Sequence, residues 1–489
     1  MSSRREFMKG VLAGGGAVLL SEYANAGALR LTRWAAATTR DENSWLQVPG
    51  ILRRIKPPVF PKRTLEITRF GAVADGTTDC TPAIADAIAA CHKAGGGRVI
   101  VPPGIFSTGA IHLKSNVDLH VAAGATLKFS RKTVKYLPVV FSRWEGVELM
   151  NYSPFIYAFE QENIAITGTG TIDGQADCEH WWPWKGRTEC GWKSGDPNQN
   201  KARDALIAMA EKGVPVSDRV FGEGHYLRPQ FIQPYRCKNV LIEGVTLKNS
   251  PMWEINPVLC TNVTVQRVAI NSHGPNNDGC DPESCTDVLI KDCSFDTGDD
   301  CIAIKSGRNA DGRRVNVACS NIVIQGCRMK DGHGGITIGS EISGSVRNVF
   351  AENCRMDSRH LDRALRIKTN SVRGGVIENI RLRNIEVGQV SDAVVSIDFN
   401  YEEGDAGKYA PVVRNIELQN LKSAKSKYAV FLRGYKTALI TDIRLSDCTF
   451  GEVAQANVIQ NASGLSFTRV KMNGKLIENS DAAAQTGKA

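Results

Sequence analysis

Apolar and polar side chains alternate in a repeating register between residues 239 and 448. Each repeat begins at an Asn or Asp anchor, and apolar residues stand one and three positions after it, as on a strand with one buried face. Another apolar or thiol side chain stands six positions after the anchor, so the alternation changes parity and the chain has to turn in between. The anchors are Asn239, Asn262, Asp287, Asn321, Asn348, Asn379, Asn415 and Asp442.

The residue five positions after each anchor indicates where the chain turns. It is Gly, Asn or Asp in every repeat except one, which has Arg267. Gly, Asn and Asp tolerate the left-handed backbone conformation that a sharp bend between two strands requires. The other turn residues are Gly244, Asp292, Gly326, Asn353, Asn384, Asn420 and Asp447.

The repeat has the length of a solenoid coil. Successive anchors are 23 to 36 residues apart, which suits short strands joined by loops of varying length. No amphipathic helix intervenes, so the register predicts an all-β chain folded as a single-stranded parallel β-helix. An antiparallel β-sandwich would explain the short strands, but it would not explain their common register.

The predicted β-helix domain covers residues 66–475 and contains an insertion at residues 176–236. A solenoid end exposes unpaired strand edges and core, so a helix that covers it is expected. The segment from about Thr81 to Lys93 has the amphipathic pattern of such an N-terminal helical cap. Residues 27–65 are interpreted as an N-terminal extension, and residues 476–489 as a disordered tail.

Residues 1–26 resemble a twin-arginine export signal. Arg4 and Arg5 precede an apolar stretch, and Ala24-Asn25-Ala26 supplies a small-x-small cleavage site. A membrane anchor is the weaker alternative, because the apolar run is about half the length needed to span a bilayer. We therefore expect no membrane association, and export in the folded state to the periplasm or beyond.

The 14 cysteines of an exported chain would ordinarily indicate disulfides. Eight of them recur at two fixed positions of the repeat, however, which predicts stacked thiols that line the core as small apolar side chains. Cys178 and Cys190 lie in the insertion, outside the register, and are the better candidates for a bridge. No cysteine or histidine spacing indicates zinc. The eight are Cys237, Cys260, Cys285, Cys319, Cys293, Cys327, Cys354 and Cys448.

The net charge of the chain limits the classes of partner that it is expected to bind. The formal net charge is +9, and a positive protein suits an anionic partner. The cations are scattered through the repeats without a basic run or a basic helix, which disfavours nucleic acid. An anionic substrate is the remaining interpretation.

Asp278, Asp299 and Asp300 are predicted to crowd onto one face of the solenoid. Asp278 and Asp299 are 21 residues apart, about one coil, and Asp300 is adjacent. Because successive coils stack at about 4.8 Å, at least one of the three carboxyls would hold a proton near neutral pH. A proton donor beside an ionised carboxylate suits glycosidic cleavage, in which another group positions the water. A single Asp in a repeat would more often be a solvated turn residue.

Three basic side chains are predicted to join the acids. His333 and Asp299 each stand twelve residues after an anchor. His333 could therefore tune the protonation of the acid or bond the substrate, whereas a lone histidine would more often be structural. Arg366 and Lys368 flank the apolar Ile367, so both should point outward on the next coil. Such cations balance nearby acids, or they bind a substrate that carries carboxylates.

Several motifs, in order and at coil spacing, resemble the polygalacturonases of glycoside hydrolase family 28 over about residues 66–475. The resemblance implies a right-handed parallel β-helix that hydrolyses α-1,4-linked galacturonate with inversion of configuration, and without a metal or other cofactor. The expected partner is therefore a pectic polysaccharide or oligogalacturonide. The motifs are FGAVADGTTD at 70–79, ITGTGTIDGQ at 166–175, NNDGCDP at 276–282, GDDCIAIKSG at 298–307, DGHGG at 331–335 and RIK at 366–368.

The resemblance also implies roles for the acidic residues and the histidine. Asp299 corresponds to the general acid of the family, and Asp278 and Asp300 correspond to the residues that activate water. His333 corresponds to the residue that supports the acid.

Substrate-binding residues follow from the same resemblance. Arg366 and Lys368 are expected to bind galacturonate carboxylates, and Tyr401 matches a substrate-contacting tyrosine by its position. Asn276, the first residue of NNDGCDP, is expected to contact substrate too.

The chain departs from the family pattern at two positions. Asn277 replaces the threonine of the family's Asn-Thr-Asp, and Gly298 stands where many members have glutamine. Neither change removes an acid, but both are expected to alter the local geometry of the site.

The insertion resembles that of exo-acting bacterial members, in which such segments close one end of the groove. We therefore expect exo action on oligogalacturonides. Its four tryptophans could stack on sugars or form the core of a loop subdomain. They are Trp181, Trp182, Trp184 and Trp192.

Other functions fit parts of the pattern. A calcium-dependent pectate lyase would use the Asp cluster as metal ligands, and a carbohydrate-binding or adhesin solenoid would need no chemistry. Within the hydrolases, rhamnogalacturonan or xylogalacturonan is an alternative substrate. We expect a monomer.

Overall fold

The computed structural model describes residues 45–477. The chain divides into a unit of residues 1–50 and a unit of residues 51–489. Residues 45–50 of the first unit form a 3-10 turn and the start of helix α1 (Val48–Arg54). The predicted export signal and most of the predicted tail lie outside the described residues. Between residues 45 and 477, no helix has the length and apolarity to cross a membrane.

The helix predicted to cap the solenoid forms with the expected bounds. Helix α2 (Thr81–Lys93) has Pro82 in its first turn, where the missing N–H costs nothing. Its buried face, which includes Ile84 and Ile88, belongs to the same apolar core as the first coils. Two further helices are α3 (Asn200–Glu211) and α4 (Asn309–Val315). Short 3-10 helices span Ile67–Phe70, Thr133–Tyr136, Trp182–Lys185, Thr188–Cys190 and Val216–Asp218.

Short strands make up most of the second unit. In chain order they are β1 (Thr64–Glu66), β2 (Asp75–Asp79), β3 (Gly97–Val101), β4 (Gly104–Thr108), β5 (Ile111–His112), β6 (Val117–Val121), β7 (Ala125–Phe129), β8 (Val140–Trp144), β9 (Val147–Asn151), β10 (Ile156–Phe159), β11 (Glu162–Gly168), β12 (Thr171–Asp173), β13 (Ile232–Tyr235), β14 (Lys238–Glu243), β15 (Thr246–Lys248), β16 (Thr261–Gln266), β17 (Ala269–Ser272), β18 (Thr286–Lys291), β19 (Ser294–Thr297), β20 (Ile302–Ile304), β21 (Cys319–Gln325), β22 (Arg328–Met329), β23 (Ile336–Ile338), β24 (Val346–Glu352), β25 (Arg355–Met356), β26 (Arg363–Lys368), β27 (Val376–Gln389), β28 (Ala393–Asp398), β29 (Val412–Ser426), β30 (Tyr428–Arg433), β31 (Ile440–Ser446), β32 (Thr449–Val453), β33 (Val458–Gln460), β34 (Ala462–Thr468), β35 (Val470–Met472) and β36 (Lys475–Ile477).

The strands that follow the anchors pair in parallel from coil to coil, as the register predicts. The residue after each anchor pairs with its counterpart on the next coil, and these side chains are buried in one continuous core. A second ladder runs along the strands after the turn, and a third, six-stranded ladder contains β20, β23, β26, β28, β30 and β33. The first ladder contains Val240, Val263, Val288, Ile322, Val349, Ile380, Ile416 and Ile443 in register.

Both the turn residues and the anchors adopt left-handed backbone conformations. All eight predicted turn residues have positive φ, including the exceptional Arg267 at 54°. The anchors also have positive φ, between 57° and 59°, which the alternation of apolar residues did not predict. Their side chains bond from coil to coil: Asn262 Nδ2 donates to Asn239 Oδ1 at 2.7 Å, and Asn415 Nδ2 donates to Asn379 Oδ1 at 2.6 Å. Asparagine serves both purposes, because it tolerates this conformation and carries a donor and an acceptor.

The cysteines divide as the register predicts. The eight register cysteines are free, buried thiols. They stack along the core, and the Cys260 backbone N–H, for example, donates to Cys285 Sγ at 3.4 Å. Cys178 and Cys190 form the disulfide of the insertion.

The insertion packs into two apolar clusters, one shared with strands β8 and β9 and one in the solenoid core. Leu206 of α3 packs with Trp144, Phe221 and Trp253 in a separate apolar cluster. Trp181 is buried in the solenoid core, where its ring contacts that of Trp184 edge-on. Trp181 and Trp184 therefore serve as packing, whereas Trp182 packs against the core and also lines a cavity.

Candidate active site

The three predicted acids meet just before β20, the first strand of the third ladder. The backbone N–H of Gly279 donates to the carbonyl of Asp300 at 2.9 Å, so Asp278 and Asp300 stand on consecutive coils. Asp299 precedes Asp300 at the start of the same coil. One carboxylate oxygen from each acid lies within 4.8 Å of the others. The predicted crowding is confirmed.

Asp299 is paired with His333. Nδ1 of His333 lies 2.9 Å from Oδ1 of Asp299, and the backbone N–H of His333 donates to the Asp299 carbonyl. This hydrogen bond and the charge of Asp299 raise the pKa of His333 to about 9. Burial works to raise the pKa of Asp299, but the bond and charge of His333 outweigh it, and the pKa lies well below its usual range. The pair therefore shares one proton, which resides mainly on the imidazole.

Asp300 is held in its ionised form by three donors. Lys368 Nζ lies 2.7 Å from Asp300 Oδ2, while Arg366 Nη1 and Thr337 Oγ1 bond Oδ1 at 3.1 and 2.8 Å. Burial would raise the pKa of Asp300, but the charges of Lys368 and Arg366 lower it below its ordinary value. Both cations point away from the buried Ile367, as predicted.

Asp278 is the carboxyl that retains a proton near neutral pH. Burial, followed by the charge of Asp299, raises the pKa of Asp278 to about 8. Lys305 acts in the opposite direction, but its Nζ lies 3.5 Å from Oδ2 of Asp278 and does not cancel the rise. One protonated and two ionised carboxyls thus share a small volume.

Lys305 is a central residue that the sequence analysis missed. Its Nζ lies within 3.6 Å of carboxylate oxygens of Asp278, Asp281 and Glu341, and 4.3 Å from the Trp253 ring centre. The signal was present in the register. Ile304 pairs with Ile338, which pairs with Ile367, so Lys305 occupies the same coil position as Lys368.

The two weaker substrate-binding candidates also lie in the site. The Tyr401 ring centre is 5.2 Å from Lys368 Nζ and 5.7 Å from the Arg366 guanidinium carbon. Asn276 reaches Asp299 Oδ2 at 3.5 Å, and its own Oδ1 accepts a bond from Arg228 at 2.8 Å. The structure thus brings all eight predicted site residues together.

The two departures from the family pattern have local structural explanations. Asn277 is buried and ties the loop together, since its Oδ1 accepts from Ser272 and its Nδ2 donates to backbone carbonyls. A Cβ at Gly298 would lie 2.4 Å from the Gly274 carbonyl oxygen. A larger residue at 298 would therefore require this loop to move.

The acids lie in a cavity of about 550 Å³. One wall is formed by the insertion, through residues that include Trp182, Lys185 and Arg203. Arg203 bonds the buried Glu145 at 2.6 Å, and Arg308 bonds the same carboxylate at 3.2 Å. The Arg203–Glu145 ion pair therefore fixes the insertion to the rim of the site.

The arrangement suits acid and base chemistry on a carboxylate-bearing ligand. It offers a protonated carboxyl, a carboxylate paired with an imidazolium, and an ionised carboxylate beside two cations. The same three acids could in principle ligate a divalent ion. However, Asp299 and Asp300 already accept bonds from His333, Arg366 and Lys368, so protein cations supply the counter-charge.

Similarity to known proteins agrees with this chemistry. The family described as Glycosyl hydrolases family 28 matches residues 222–468. The crystal structure of a hyperthermoactive exopolygalacturonase from Thermotoga maritima is 48% identical, with a TM-score of 0.87, and covers 89% of this chain and 98% of that one. A probable polygalacturonase of Vitis vinifera is 28% identical over 411 residues, 80% of this chain and 74% of that protein. The exo-poly-alpha-D-galacturonosidase of Dickeya chrysanthemi is 25% identical over 466 residues, 85% and 75% of the two chains. The chain therefore belongs to glycosyl hydrolase family 28, and it is a glycoside hydrolase built on a right-handed parallel β-helix.

Proposed function

We propose that this protein is an exo-acting polygalacturonase, which hydrolyses α-1,4-galacturonosidic bonds of polygalacturonate and oligogalacturonides. The observation that carries the proposal is the cluster of Asp278, Asp299 and Asp300, set among protein cations in a cavity walled by the insertion. The 48% identical Thermotoga maritima protein, an exopolygalacturonase, supports this substrate and the exo mode.

Asp299 is the proposed proton donor to the leaving glycosidic oxygen. Its partner His333 carries the proton of the pair in the unliganded site, at an Nδ1–Oδ1 distance of 2.9 Å. As negative charge develops on the leaving oxygen, the proton passes from the imidazole to Asp299 and on to that oxygen. His333 thus supports the acid by holding its proton at neutral pH.

Asp278 and Asp300 are the proposed water-activating residues. Asp300, kept ionised by Lys368 and Arg366, accepts the proton of the attacking water. Asp278, which retains a proton in the unliganded site, orients that water. The water oxygen bonds the anomeric carbon as the bond to the leaving oxygen breaks, so atoms and protons balance.

We propose that the reaction inverts the anomeric configuration, as the family resemblance implies. The spacing of the acids alone would suggest otherwise, because their nearest oxygens lie within 4.8 Å. Inverting glycosidases usually separate the two carboxyls by about 6.5–9.5 Å, and retaining ones by about 5–5.5 Å. The stereochemistry is therefore a test in its own right.

Arg366, Lys368, Tyr401 and Asn276 are the proposed substrate contacts. Arg366 and Lys368 carry the charge to bind a galacturonate carboxylate, although both also bond Asp300. Tyr401 offers its ring to these cations and its hydroxyl to the sugar, and Asn276 lies beside Asp299.

Rhamnogalacturonan and xylogalacturonan are less well supported as substrates. The intact GHG motif at 332–334 and RIK motif at 366–368 favour homogalacturonan. Eliminative cleavage is disfavoured as well, because the chain belongs to a hydrolase family. A purely binding solenoid would not need the paired donor and carboxylates.

We also propose export by the twin-arginine route and action in the periplasm or outside the cell. Arg4 and Arg5 of residues 1–26 support this proposal. Cell fractionation tests it, since the processed protein should be found outside the cytoplasm. Detection of the unprocessed chain alone, in the cytoplasm, would overturn it.

A product profile tests the function directly. Polygalacturonate and oligomers of defined length are digested, with reducing ends and ultraviolet absorbance followed together. We expect rapid release of mono- or digalacturonate and slow loss of viscosity. Unsaturated products would indicate a lyase, and rapid loss of viscosity an endo-acting enzyme. Asp299→Asn separates an enzyme from a binding protein, because hydrolysis should fall by orders of magnitude while substrate binding is retained.

A further inference from the structure

The cations that line the active-site cavity fall into two groups. Most are bound to a carboxylate of the protein itself, so their charge is already balanced. Within residues 45–477, Lys185 and Arg187 line the cavity without an ion pair or hydrogen bond from their side chains. The balanced cations are Arg203, Lys305, Arg308, Arg366 and Lys368.

Lys185 is also poorly solvated. Burial lowers the pKa of Lys185 to about 8, and the charges of Arg228 and Arg187 act in the same direction. The charges of Glu145 and Asp299 raise the pKa of Lys185, but they offset this fall only in part. An ammonium group in this position gains more from an incoming anion than a solvated one would.

The loop that carries the two cations is fixed in place. The Cys178–Cys190 disulfide brackets it. Trp182 Nε1 donates to the Ser250 carbonyl at 2.9 Å, which ties the loop to the solenoid. The Trp184 carbonyl accepts a bond from the Gln199 N–H at 2.8 Å. A site on such a loop is pre-organised, so little entropy is lost when a ligand binds.

The loop that carries Lys185 and Arg187 is tied to the solenoid on the opposite side of the acids from strand β26. Their loop is anchored at Ser250, on a coil before that of Asp278. Arg366 and Lys368 lie on β26, beyond β20 and β23, on the other side of Asp300. A chain that spans the acids would therefore meet one pair of cations on each side of the cleaved bond.

We infer that Lys185 and Arg187 bind the carboxylate of the terminal galacturonosyl unit, the one enclosed by the insertion. Their free charge then selects a chain that ends in an unesterified uronate, and an ester or a neutral sugar in that position is rejected. This inference rests on the proposed function. It adds a specificity site on the insertion to the contacts that the family motifs supply.

The test uses the full-length protein with Lys185→Met and Arg187→Gln, and with Lys201→Met as a control. Lys201 is exposed on α3 of the same insertion and does not line the cavity. With trigalacturonate, kcat/KM should fall about 10- to 100-fold in Lys185→Met, the range for loss of a partly desolvated charge contact. The fall should be smaller in Arg187→Gln, because the Arg187 side chain is exposed. The control should match wild type, and Lys185→Arg should recover most of the activity.

A second substrate distinguishes specificity from general damage. Two trigalacturonates are compared, each methyl-esterified on the carboxyl of one terminal unit, at one end of the chain or at the other. Wild type should discriminate against esterification at the enclosed end, whereas Lys185→Met should hydrolyse that ester and the free acid at similar rates. Unchanged discrimination in both site variants would overturn the inference.

Binding separates failure of this inference from failure of the proposed function. Trigalacturonate is titrated into Asp299→Asn with and without Lys185→Met, and binding is followed by calorimetry. Weaker binding in the double variant supports the inference, and equal binding overturns it. Absence of galacturonide hydrolysis by the wild type would instead refute the proposed function.

Discussion

Nδ1 of His333 lies 2.9 Å from Oδ1 of Asp299, although the two residues are 34 positions apart in the chain. Each stands at the same position of its own coil, and the backbone N–H of His333 also bonds the Asp299 carbonyl. Stacking of coils thus turns a sequence repeat into an acid with an imidazole beside it. The pair can be tested through its protonation.

Replacement of His333 should move the alkaline limb of the pH–activity profile. The pKa of His333 is raised to about 9, so the proton of the pair is present below that pH and lost above it. In His333→Asn the proton has to reside on Asp299 itself, and the limb should move about one to three pH units lower. The measurement is kcat/KM on trigalacturonate from pH 4 to 10.

The exposed His92 on α2 provides the control, because His92→Asn should leave the profile unchanged. Because its pKa is raised, Asp278 is the alternative candidate for the proton donor. If His333→Asn keeps the wild-type limb while Asp278→Asn loses it, Asp278 rather than Asp299 is the proton donor.

Hydrolysis should release the β-anomer first. Inversion at an α-linked galacturonate gives a β product, whereas retention gives the α product. Proton NMR within the first minutes, before mutarotation, distinguishes the two. Initial α-anomer would show that the close spacing of the acids reflects a covalent intermediate.

Replacement of Lys305 should destabilise the fold, and more so at high pH. Lys305→Met leaves Asp278, Asp281 and Glu341 without their shared cation, at a cost of about 3–5 kcal/mol. Loss of the cation raises the pKa values of these carboxyls, so they bind protons as the pH falls and the deficit should shrink. Chemical denaturation at pH 8 and pH 5 measures the difference.

Lys330→Met is the matched comparison for Lys305→Met. Lys330 pairs with Asp296 at 2.7 Å, but its side chain is 64% exposed. Its removal should have little effect at either pH. A pH-independent deficit in Lys305→Met would mean that lost packing, not lost charge, causes the destabilisation.

Substitutions of the anchor Asn348 should separate its two functions. Asn348 has φ of 58° and bonds Asn321 and Asn379 at 3.2 and 3.0 Å. Asn348→Gly keeps the backbone conformation and loses the bonds, whereas Asn348→Ala loses both. Alanine should therefore be less stable than glycine by about 1–2 kcal/mol. Equal unfolding free energies would show that backbone conformation does not select asparagine here.

The register of the repeat predicted most of the structural features that recur from coil to coil. Strand pairing, the buried face and the turn residues all follow once the anchors are aligned. The crowding of the acids followed instead from the separation of Asp278 and Asp299 by 21 residues, about one coil. The positive φ of the anchors themselves did not follow, because an alternation of apolar side chains carries no information on the backbone at a polar position. Their asparagines were the available signal.

Groups brought in from outside the repeat were not predictable in the same way. Lys185, Glu145 and Arg203 reach the site from segments whose paths obey no period, so no alignment of coils could assign them to it. Lys305 is different, because the residues IAIK at 302–305 occupy the same coil position as RIK at 366–368. The place of Lys305 in the site was therefore predictable from the sequence. Which carboxyl keeps its proton depends on burial and on the charges of Lys305, Lys368 and the other acids together.

The twelve buried thiols are relevant to whether the chain folds before or after export. A polypeptide threaded unfolded into an oxidising compartment would offer every one of them to random pairing, and few of the resulting bonds would fit a solenoid core. Once the coils have closed, the same thiols are out of reach of oxidants, and only Cys178 and Cys190 are joined. Folding before translocation, as the proposed twin-arginine route requires, would therefore protect a reduced core.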